Sequence, residues 1–485
     1  MSLSSALSIA QSSIKNTARR TSVVSRNVLE ADNMDYSRRS AVLSSTAPGA
    51  RVVEIHRATN EQLFRQNMQA LSSFSGQRAI YSGMDRLGLS VNGVENGTSP
   101  ATALGKLQEA LQLYSTSPSN HNLGENTLDA ARQVVRSLRD GTIAVQTFRI
   151  EADQEIATAV NELNTLLADF GSANKLIIAG TRAGRDVSDA LDQRDAALKR
   201  IAEYVPVSTF TRGDNDMVLM TKDGATLFET VPRAVNFTPS TAYAAGVPGN
   251  AIYIDGVPVA LAAGSGAEAS GRLAGLVQLR DGVATTMQSQ LDEVARGLIM
   301  AFAETDPLGA LPDQTGLFTW SGGPNMPPPG LLINGLAGSI SLNPLIDSAQ
   351  GGNPLLLRDG GANGAAYVHN VDGVSYSGLL IAYGDRIDAS MTFDPAAGIN
   401  ASTSLSAYST AAIGWFERIR KEAYSASESK EALAVRTAEA LSNDTGVNVD
   451  MEMSLLLDLE HSYEASARLI KAVDDMLASL FAAVR

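Results

Sequence analysis

Carboxylates recur at every third residue near the middle of the chain, and a metal site is one chemistry that such a series could support. The series comprises Asp186, Asp189, Asp192 and Asp195, at the start of a predicted helix. Asp186 or Ser188 can instead cap that helix, and acidic residues in a first turn favour the positive end of its dipole. Arg194 and Lys199 can pair with neighbouring carboxylates on the same helix. We therefore interpret these aspartates as residues that cap and stabilise the helix, and we predict no metal site here.

The histidines and glycines form no pattern typical of an enzyme. The four histidines are scattered, and no two have the spacing of zinc ligands: His56, His121, His369 and His461. The sequence has no G-x-S-x-G elbow, no P-loop and no G-x-G-x-x-G. The sequence leaves open the possibility that folding brings two carboxylates together as in a glycosidase. We predict no catalytic residue, no cofactor and no bound metal.

Composition argues against several classes of function. With 485 residues the chain is too long for one core, so two to four domains are expected, and its apolar content of 44% is enough for globular folding. Its formal net charge of −14 and the lack of a long basic block argue against nucleic acid as a partner. There is no cysteine, no apolar run long enough for membrane insertion, and no pattern of a cleaved signal peptide in residues 1–25. If the protein leaves the cell, we expect an export route that requires neither a cleaved signal peptide nor a membrane-spanning segment.

Both ends of the chain carry a heptad pattern of apolar residues. At the C-terminal end, steps of three and four residues land on Leu456, Leu459, Tyr463, Ser466, Ile470, Val473, Leu477, Leu480 and Val484. At the N-terminal end, the same steps land on Leu3, Leu7, Ala10, Ile14, Thr17, Thr21, Val24 and Val28. Such a seam is typical of a coiled coil, and neither helix can bury its stripe alone. We predict that the two terminal helices pair with each other as a coiled coil.

Two interpretations of this pairing are open at the level of the sequence. In the first, the terminal helices close an ordinary helical bundle, and the pattern alone slightly favours this interpretation. In the second, the seam residues also stack against copies of the chain in a polymer, so that the seam serves assembly.

The predicted elements nest inside one another. They divide the chain into a terminal coiled-coil assembly domain, 1–60 with 446–485, a helical domain, 61–204 with 273–445, and a small β-rich outer insert, 205–272. The helical domain contains an irregular segment at 305–375 and a helix from about residue 123 that Gly171 is expected to interrupt. The predicted fold class is mainly α with a β insert, with paired terminal helices and a nested, discontinuous helical domain.

Several stretches resemble the flagellar axial proteins. The C-terminal part is similar to the signature shared by flagellar rod, hook and hook-associated proteins, over Gly446–Asp450, Tyr463–Arg468 and Asp475–Leu477. Further stretches are similar to segments of the hook-filament junction proteins, namely Tyr36–Arg39, Asp189–Asp195, Ser270–Leu276 and Arg280-Asp281. The chain therefore resembles the hook-associated protein 1 family within the flagellar axial superfamily.

The resemblance implies a structural protein of the bacterial flagellum that forms a ring at the hook-filament junction. Its partners would be copies of itself, the flagellar hook protein and the second hook-filament junction protein. An export chaperone and the flagellar type III export apparatus would act on it before assembly. Its location would be extracellular, reached without a cleaved signal peptide, and its seam residues would pack within one subunit and across neighbours, with the β insert facing outward.

Two alternatives to the junction ring remain. One is a hook-like or flagellin-like polymer subunit, which the stretches Tyr36–Arg39 and Asp189–Asp195 disfavour. The other is a secreted hydrolase carried on an axial-protein frame, which the missing histidine and serine patterns disfavour.

Overall fold

The computed structural model describes residues 3–46, 49–259 and 268–483. Its α-helices are, in chain order, α1 (Leu3–Leu29), α2 (Glu61–Asn92), α3 (Pro100–Thr116), α4 (His121–Arg182), α5 (Ser188–Tyr204), α6 (Arg272–Gln278), α7 (Ala284–Ala301), α8 (Leu336–Ser339), α9 (Leu356–Asp359), α10 (Gly378–Asp388), α11 (Leu405–Thr445) and α12 (Val449–Ala483). The strands are β1 (Arg39–Thr46), β2 (Gly49–Arg57), β3 (Val207–Thr211), β4 (Met217–Thr221), β5 (Thr226–Phe228), β6 (Val235–Asn236), β7 (Tyr253–Ile254), β8 (Val257–Pro258), β9 (Phe318–Thr319), β10 (Ser341–Leu342), β11 (Met391–Thr392) and β12 (Ser402–Thr403). The predicted fold class, mainly helical with small sheets, is confirmed.

The two ends of the chain lie side by side. α1 and α12 pack along each other, and the hydroxyl oxygens of Ser13 and Ser466 are 2.8 Å apart. At the start of α12, Met451 N donates to Asn448 Oδ1 at 3.0 Å, which satisfies a backbone donor that the helix itself cannot pair. The pairing of the terminal helices predicted from the heptads is confirmed.

A β-hairpin connects α1 to α2. β1 and β2 pair antiparallel over their length, and β2 packs on α1. Ser12 Oγ donates to Ala50 O at 2.6 Å, and Val52 N donates to Asn16 Oδ1 at 3.1 Å. Polar side chains of α1 therefore hold the hairpin along the terminal pair.

α4 is the longest element of the helical body. It has 62 residues, which corresponds to about 93 Å at 1.5 Å per residue. It continues through Gly171 and Gly180, so the break expected at Gly171 was wrong. A Cβ on Gly171 would lie 2.9 Å from Phe228 Cε2, and one on Gly180 would collide with Val187. These glycines let neighbouring segments approach α4 closely and do not end it.

The β-rich segment packs against α4. It contains two three-stranded sheets, ordered β3-β4-β5 and β6-β7-β8. Phe228 packs edge-on against Phe170 of α4, with ring centroids 5.0 Å apart, and Asn164 Nδ2 donates to Val235 O at 2.8 Å. Buried residues of both sheets belong to the same continuous apolar core as those of the helices. The segment 205–272 thus shares the core of the body, and its outward position in an assembly stays a prediction.

Buried carboxylates hold the segment between α7 and α10, where regular elements are short. Asp292 of α7 accepts hydrogen bonds from Gly335 N at 2.8 Å and Ala337 N at 2.9 Å. Glu304 accepts a hydrogen bond from Ala362 N at 2.8 Å. These carboxylates satisfy backbone donors that would otherwise be buried without a partner.

α2 and α6 cross in contact through glycines. A Cβ on Gly275 of α6 would lie 2.6 Å from the carbonyl oxygen of Gly76 in α2. Just before α6, Gly271 N donates to Ser72 O at 2.8 Å. The two backbones are therefore too close to admit a side chain at this crossing.

Replacing Gly275 by alanine should lower the free energy of unfolding by about 1–3 kcal/mol, because the added methyl group overlaps the α2 backbone. Urea unfolding followed by circular dichroism measures this. Gly105 in α3 is the matched control, since nothing lies within 4 Å of a Cβ there. Gly105→Ala should raise the free energy of unfolding by up to about 1 kcal/mol. Equal stability of the two variants would contradict the close crossing.

Asp292 should make stability depend on pH. Burial raises its pKa from 3.8 to about 6, although the backbone N–H groups of Ala337 and Gly335 act in the opposite direction. Because the unfolded chain ionises this group at a lower pH than the folded one, its contribution to the free energy of unfolding should fall by about 2 kcal/mol as pH rises from about 4 to about 7.

Urea unfolding of the native chain and of Asp292→Asn at both ends of that pH range checks this expectation. Asparagine does not titrate, so the stability difference between the two proteins should change with pH by the stated amount. A difference that stays constant with pH would contradict it.

Candidate assembly surface

One line of positions on each terminal helix is buried in the pair. The buried residues include Ala10, Thr17 and Val24 on α1, and Glu452, Leu459, Ser466 and Val473 on α12. Successive members of each line are one heptad apart, as in a coiled coil. Of the predicted seam residues, Ala10, Val24, Leu459 and Val473 are at most 4% exposed. Sequence reasoning missed Glu452, because it searched for apolar residues only.

The remaining predicted seam residues lie at the edges of the pair or outside it. The half-exposed ones are Leu3, Leu7, Ile14, Val28, Leu456, Ile470 and Leu477. Tyr463 and Leu480 are 48% and 52% exposed, and Val484 lies outside the described residues. The pair thus buries a narrower seam than the heptads predicted, and a role for these positions between subunits stays a prediction.

α12 is apolar around more of its circumference than α1 covers. Further large apolar side chains on it are 44–69% exposed: Met451, Met453, Leu457, Leu469, Met476 and Phe481. With Tyr463 and Leu480 they are the outer apolar residues of α12. A helix that is apolar on several sides is normally buried among other helices. This surface is therefore the candidate for contact with another protein chain.

The segment after α1 ties α12 to α1 at the base of the pair. Glu452 is 0% exposed, and it accepts hydrogen bonds from Arg38 Nε at 2.6 Å and Asn27 Nδ2 at 2.9 Å. Tyr36 donates its hydroxyl to Asn27 Oδ1 at 2.8 Å, and Arg38 N donates to Thr445 O at 2.8 Å. The stretch Tyr36–Arg39 therefore acts as a clamp on the first turn of α12.

Arginines of the terminal region bind the aspartates of α5. Arg39 Nη2 donates to Asp192 Oδ2 at 2.6 Å, and Arg57 Nε donates to Asp192 Oδ1 at 2.7 Å. Arg57 Nη2 reaches Asp195 Oδ2 at 2.7 Å. Arg39 also forms an ion pair with Asp189 at 2.6 Å, as does the exposed Arg26. We call these residues the arginine–aspartate latch: Arg26, Arg39, Arg57, Asp189, Asp192 and Asp195.

The two ends of the latch differ electrostatically. Burial acts to raise the pKa of Asp189, but hydrogen bonds from Arg39 and Arg26 outweigh it and the pKa is lowered. At the inner end, burial raises the pKa of Asp195 against the charges of Arg57 and Arg194. Asp189, at the end of the latch that faces water, therefore ionises more readily than an ordinary aspartate, and Asp195 ionises less readily.

The expectation that the arginine and lysine of α5 pair with carboxylates on their own helix was wrong. Arg194 donates to Asn215 O at 2.7 Å, and Lys199 donates to Asp35 Oδ1 at 2.9 Å. The partners of the aspartates come from α1 and the hairpin, more than a hundred residues away in sequence. Three of the four aspartates thus form an ionic contact between two parts of the fold, whereas Asp186 accepts a hydrogen bond from Ser188 N at 3.0 Å.

The described part of the chain contains no group of three or more histidine, aspartate or glutamate residues placed to hold a metal ion. The histidines are dispersed, with His461 exposed on α12 and His369 Nε2 3.0 Å from Thr305 O. Among the helices in residues 3–46, 49–259 and 268–483, none is both long and apolar enough to cross a membrane.

Two families match this chain. Residues 92–317 match the family described as the flagellar hook-associated protein FlgK helical domain. Residues 441–482 match the C-terminal family of the flagellar basal body rod FlgEFG proteins. The second match covers nearly all of α12, so the helix with the outer apolar residues is similar to the C-terminal part of these rod proteins.

Relatives agree with these matches. Flagellar hook-associated protein 1 of Bacillus subtilis (strain 168) is 22% identical over 402 residues, which are 74% of this chain and 73% of the relative. The solved structure of the flagellar hook junction protein FlgK from Burkholderia pseudomallei matches with a TM-score of 0.57 at 13% identity. That match covers 78% of this chain and 99% of the other, so the fold is shared over most of both.

Replacing Glu452 by glutamine should loosen the base of α12, because Arg38 loses a buried charge partner. We expect the opening free energy of the first turns of α12 to fall by about 1–3 kcal/mol. Hydrogen exchange of the α12 amides measures it. The control is Glu464→Gln, whose exposed pair with Arg468 at 3.4 Å should change protection by about 0.5 kcal/mol or less. Similar effects of both substitutions would argue against the clamp.

Proposed function

We propose that this chain, which is similar to the flagellar hook-associated proteins, acts as a structural protein of the hook-filament junction. The observation that carries the proposal is the terminal pair. Both ends of the chain meet in one helical unit, and α12 exposes apolar side chains that α1 does not cover. In the assembled flagellum these outer apolar residues pack against helices of neighbouring subunits.

The assembly is a closed ring of copies of this chain. A subunit whose contact surfaces on its two sides differ makes a heterologous contact, which closes into a ring when the rotation between subunits permits. One side of the ring contacts the flagellar hook protein, and the other contacts the second hook-filament junction protein. The helical body and the β-rich segment occupy the outer radius of the ring.

The protein works by contact and not by catalysis. The terminal pair exposes large apolar residues on α12, and the buried carboxylates of the body accept backbone hydrogen bonds or pair with arginine. Groups engaged in this way are positioned to hold the fold. Delivery to the cell exterior uses the flagellar type III apparatus and an export chaperone that covers the apolar ends before assembly.

A hook-like or flagellin-like polymer subunit is the second candidate. A hook-like or flagellin-like subunit would show the same match of residues 441–482 to rod proteins. This match therefore does not favour that candidate over the junction protein. The match of residues 92–317 to the helical domain of hook-associated proteins favours the junction.

Deleting residues 450–485 should abolish the junction while the body stays folded. The apolar core of the described chain contains no residue of α12, so circular dichroism should still report a cooperative thermal transition. Electron microscopy of cells that carry only the truncated chain should show bare hooks and detached filament protein. Filaments attached to hooks in these cells would contradict the assignment.

A matched pair of substitutions separates loss of contact from loss of the whole helix. Leu457 on α12 and Leu176 on α4 are 56% and 61% exposed, so neither change removes a buried side chain. Leu457→Gln should reduce the number of hooks that carry filaments, because the glutamine would be buried against a neighbour. Leu176→Gln should leave that number unchanged.

A further inference from the structure

The two terminal helices carry opposite net charge. α1 has four basic residues and no acidic residue, whereas α12 has seven acidic residues and two basic ones. The basic residues of α1 are Lys15, Arg19, Arg20 and Arg26, and the acidic residues of α12 are Asp450, Glu452, Asp458, Glu460, Glu464, Asp474 and Asp475. Protein surfaces of opposite charge attract each other, and surfaces of like charge repel.

Most of these charges form no ion pair inside the subunit. Within the described residues, three ion pairs involve either helix, namely Arg26–Asp189, Arg38–Glu452 and Arg468–Glu464. None of them joins a side chain of α1 to a side chain of α12. The two helices therefore meet through their buried seam, and most of their charges are available to another chain.

Lys15 and Arg19 lie on the side of α1 that faces away from α12. Thr17, between them, is buried in the pair. At about 100° per residue, the positions two before and two after a buried residue lie on the opposite side of a helix. Both basic side chains are exposed, so α1 presents a basic surface on its outer side.

Acidic residues of α12 accompany its outer apolar residues. Glu460 and Asp474 are exposed, and they lie on one line with Met453 and Phe481, at multiples of seven residues. Met453 and Phe481 belong to the outer apolar residues that α1 does not cover. Apolar residues with charged residues around them are typical of a protein–protein interface. The candidate assembly surface is therefore acidic as well as apolar.

We propose that, in the assembled flagellum, the basic side of α1 in one copy contacts the acidic and apolar side of α12 in the next copy. Two α1 surfaces would repel each other, and so would two α12 surfaces, so the charges oppose a two-fold dimer through these surfaces. A contact between unlike surfaces is heterologous and repeats in one direction from copy to copy. This inference rests on the ring proposed above and identifies the surfaces that join its subunits.

Charge reversal in cells that lack the native gene tests the contact. Lys15→Glu with Arg19→Glu reverses two charges on α1, and Glu460→Lys with Asp474→Lys reverses two on α12. Either altered chain alone should reduce the number of hooks that carry filaments by about tenfold or more, because like charges then meet. Electron microscopy counts these hooks, and an immunoblot of the medium measures export of the chain. Undiminished attachment with either altered chain would overturn the proposal.

Two combinations identify the partner of these charges. A chain with all four substitutions restores unlike charges both within one copy and between copies, whereas the two altered chains produced together restore them only between neighbouring copies. Filament attachment should rise severalfold above either altered chain alone in both combinations. Recovery with the fourfold variant only would assign the charges to contact within one chain, and recovery with neither would assign them to a different protein. Both of these results would overturn the proposal.

Reversal of charges on the body is the matched control. Lys106 and Lys175 are exposed and form no ion pair within the described residues, so Lys106→Glu with Lys175→Glu should leave attachment unchanged. An equal loss in this control would overturn the assignment to the terminal helices. If a reversed chain is not exported, Lys15→Glu alone and Glu460→Lys alone, tested singly and together, decide the question in the same way.

Failure of this inference differs from failure of the junction function. If deletion of residues 450–485 removes the filaments but charge reversal does not, only the contact between α1 and α12 of neighbouring copies is wrong. If filaments stay attached after that deletion, the junction function is wrong as well.

Discussion

The direction of the terminal helices relative to the body depends on two consecutive arginines. Successive side chains of an extended segment point to opposite sides, and Arg38 and Arg39 use this alternation. Arg38 binds the buried Glu452 of α12, and Arg39 binds Asp192 of α5. Each carboxylate is expensive to bury without its cation. One dipeptide thus joins the N-terminal helix, the C-terminal helix and the body, and the apolar seam of the pair runs outward from this point.

Periodicity alone predicted much of the fold. The heptads at both ends identified α1 and α12 as a pair, since a stripe of that length needs a partner. The strands β3 to β8 lie within the β-rich insert predicted at 205–272. These features are local, because each depends on residues within a few turns or strands of one another.

The remainder depends on residues that are distant in sequence. Gly171 was expected to break a helix, and only the approach of Phe228 explains why glycine lies within α4. The spacing of the aspartates on α5 was visible, but their arginine partners follow from the tertiary fold. Glu452 gave no signal at all, because a single glutamate near the start of a helix is ordinary. The contact partners of the charged residues at this site therefore cannot be predicted from the sequence.

The separation of the two paired ends along the chain has a consequence for the order of folding. Ser13 and Ser466 meet across 453 residues, and closing so long a loop costs entropy before any contact compensates it. The body can form first from nearer contacts, and its completion places residues 58–60 beside 446–448. Only a short loop then has to close, so the two terminal helices pair last, after the body has folded. A chain stopped before that step has a folded body and two free amphipathic ends.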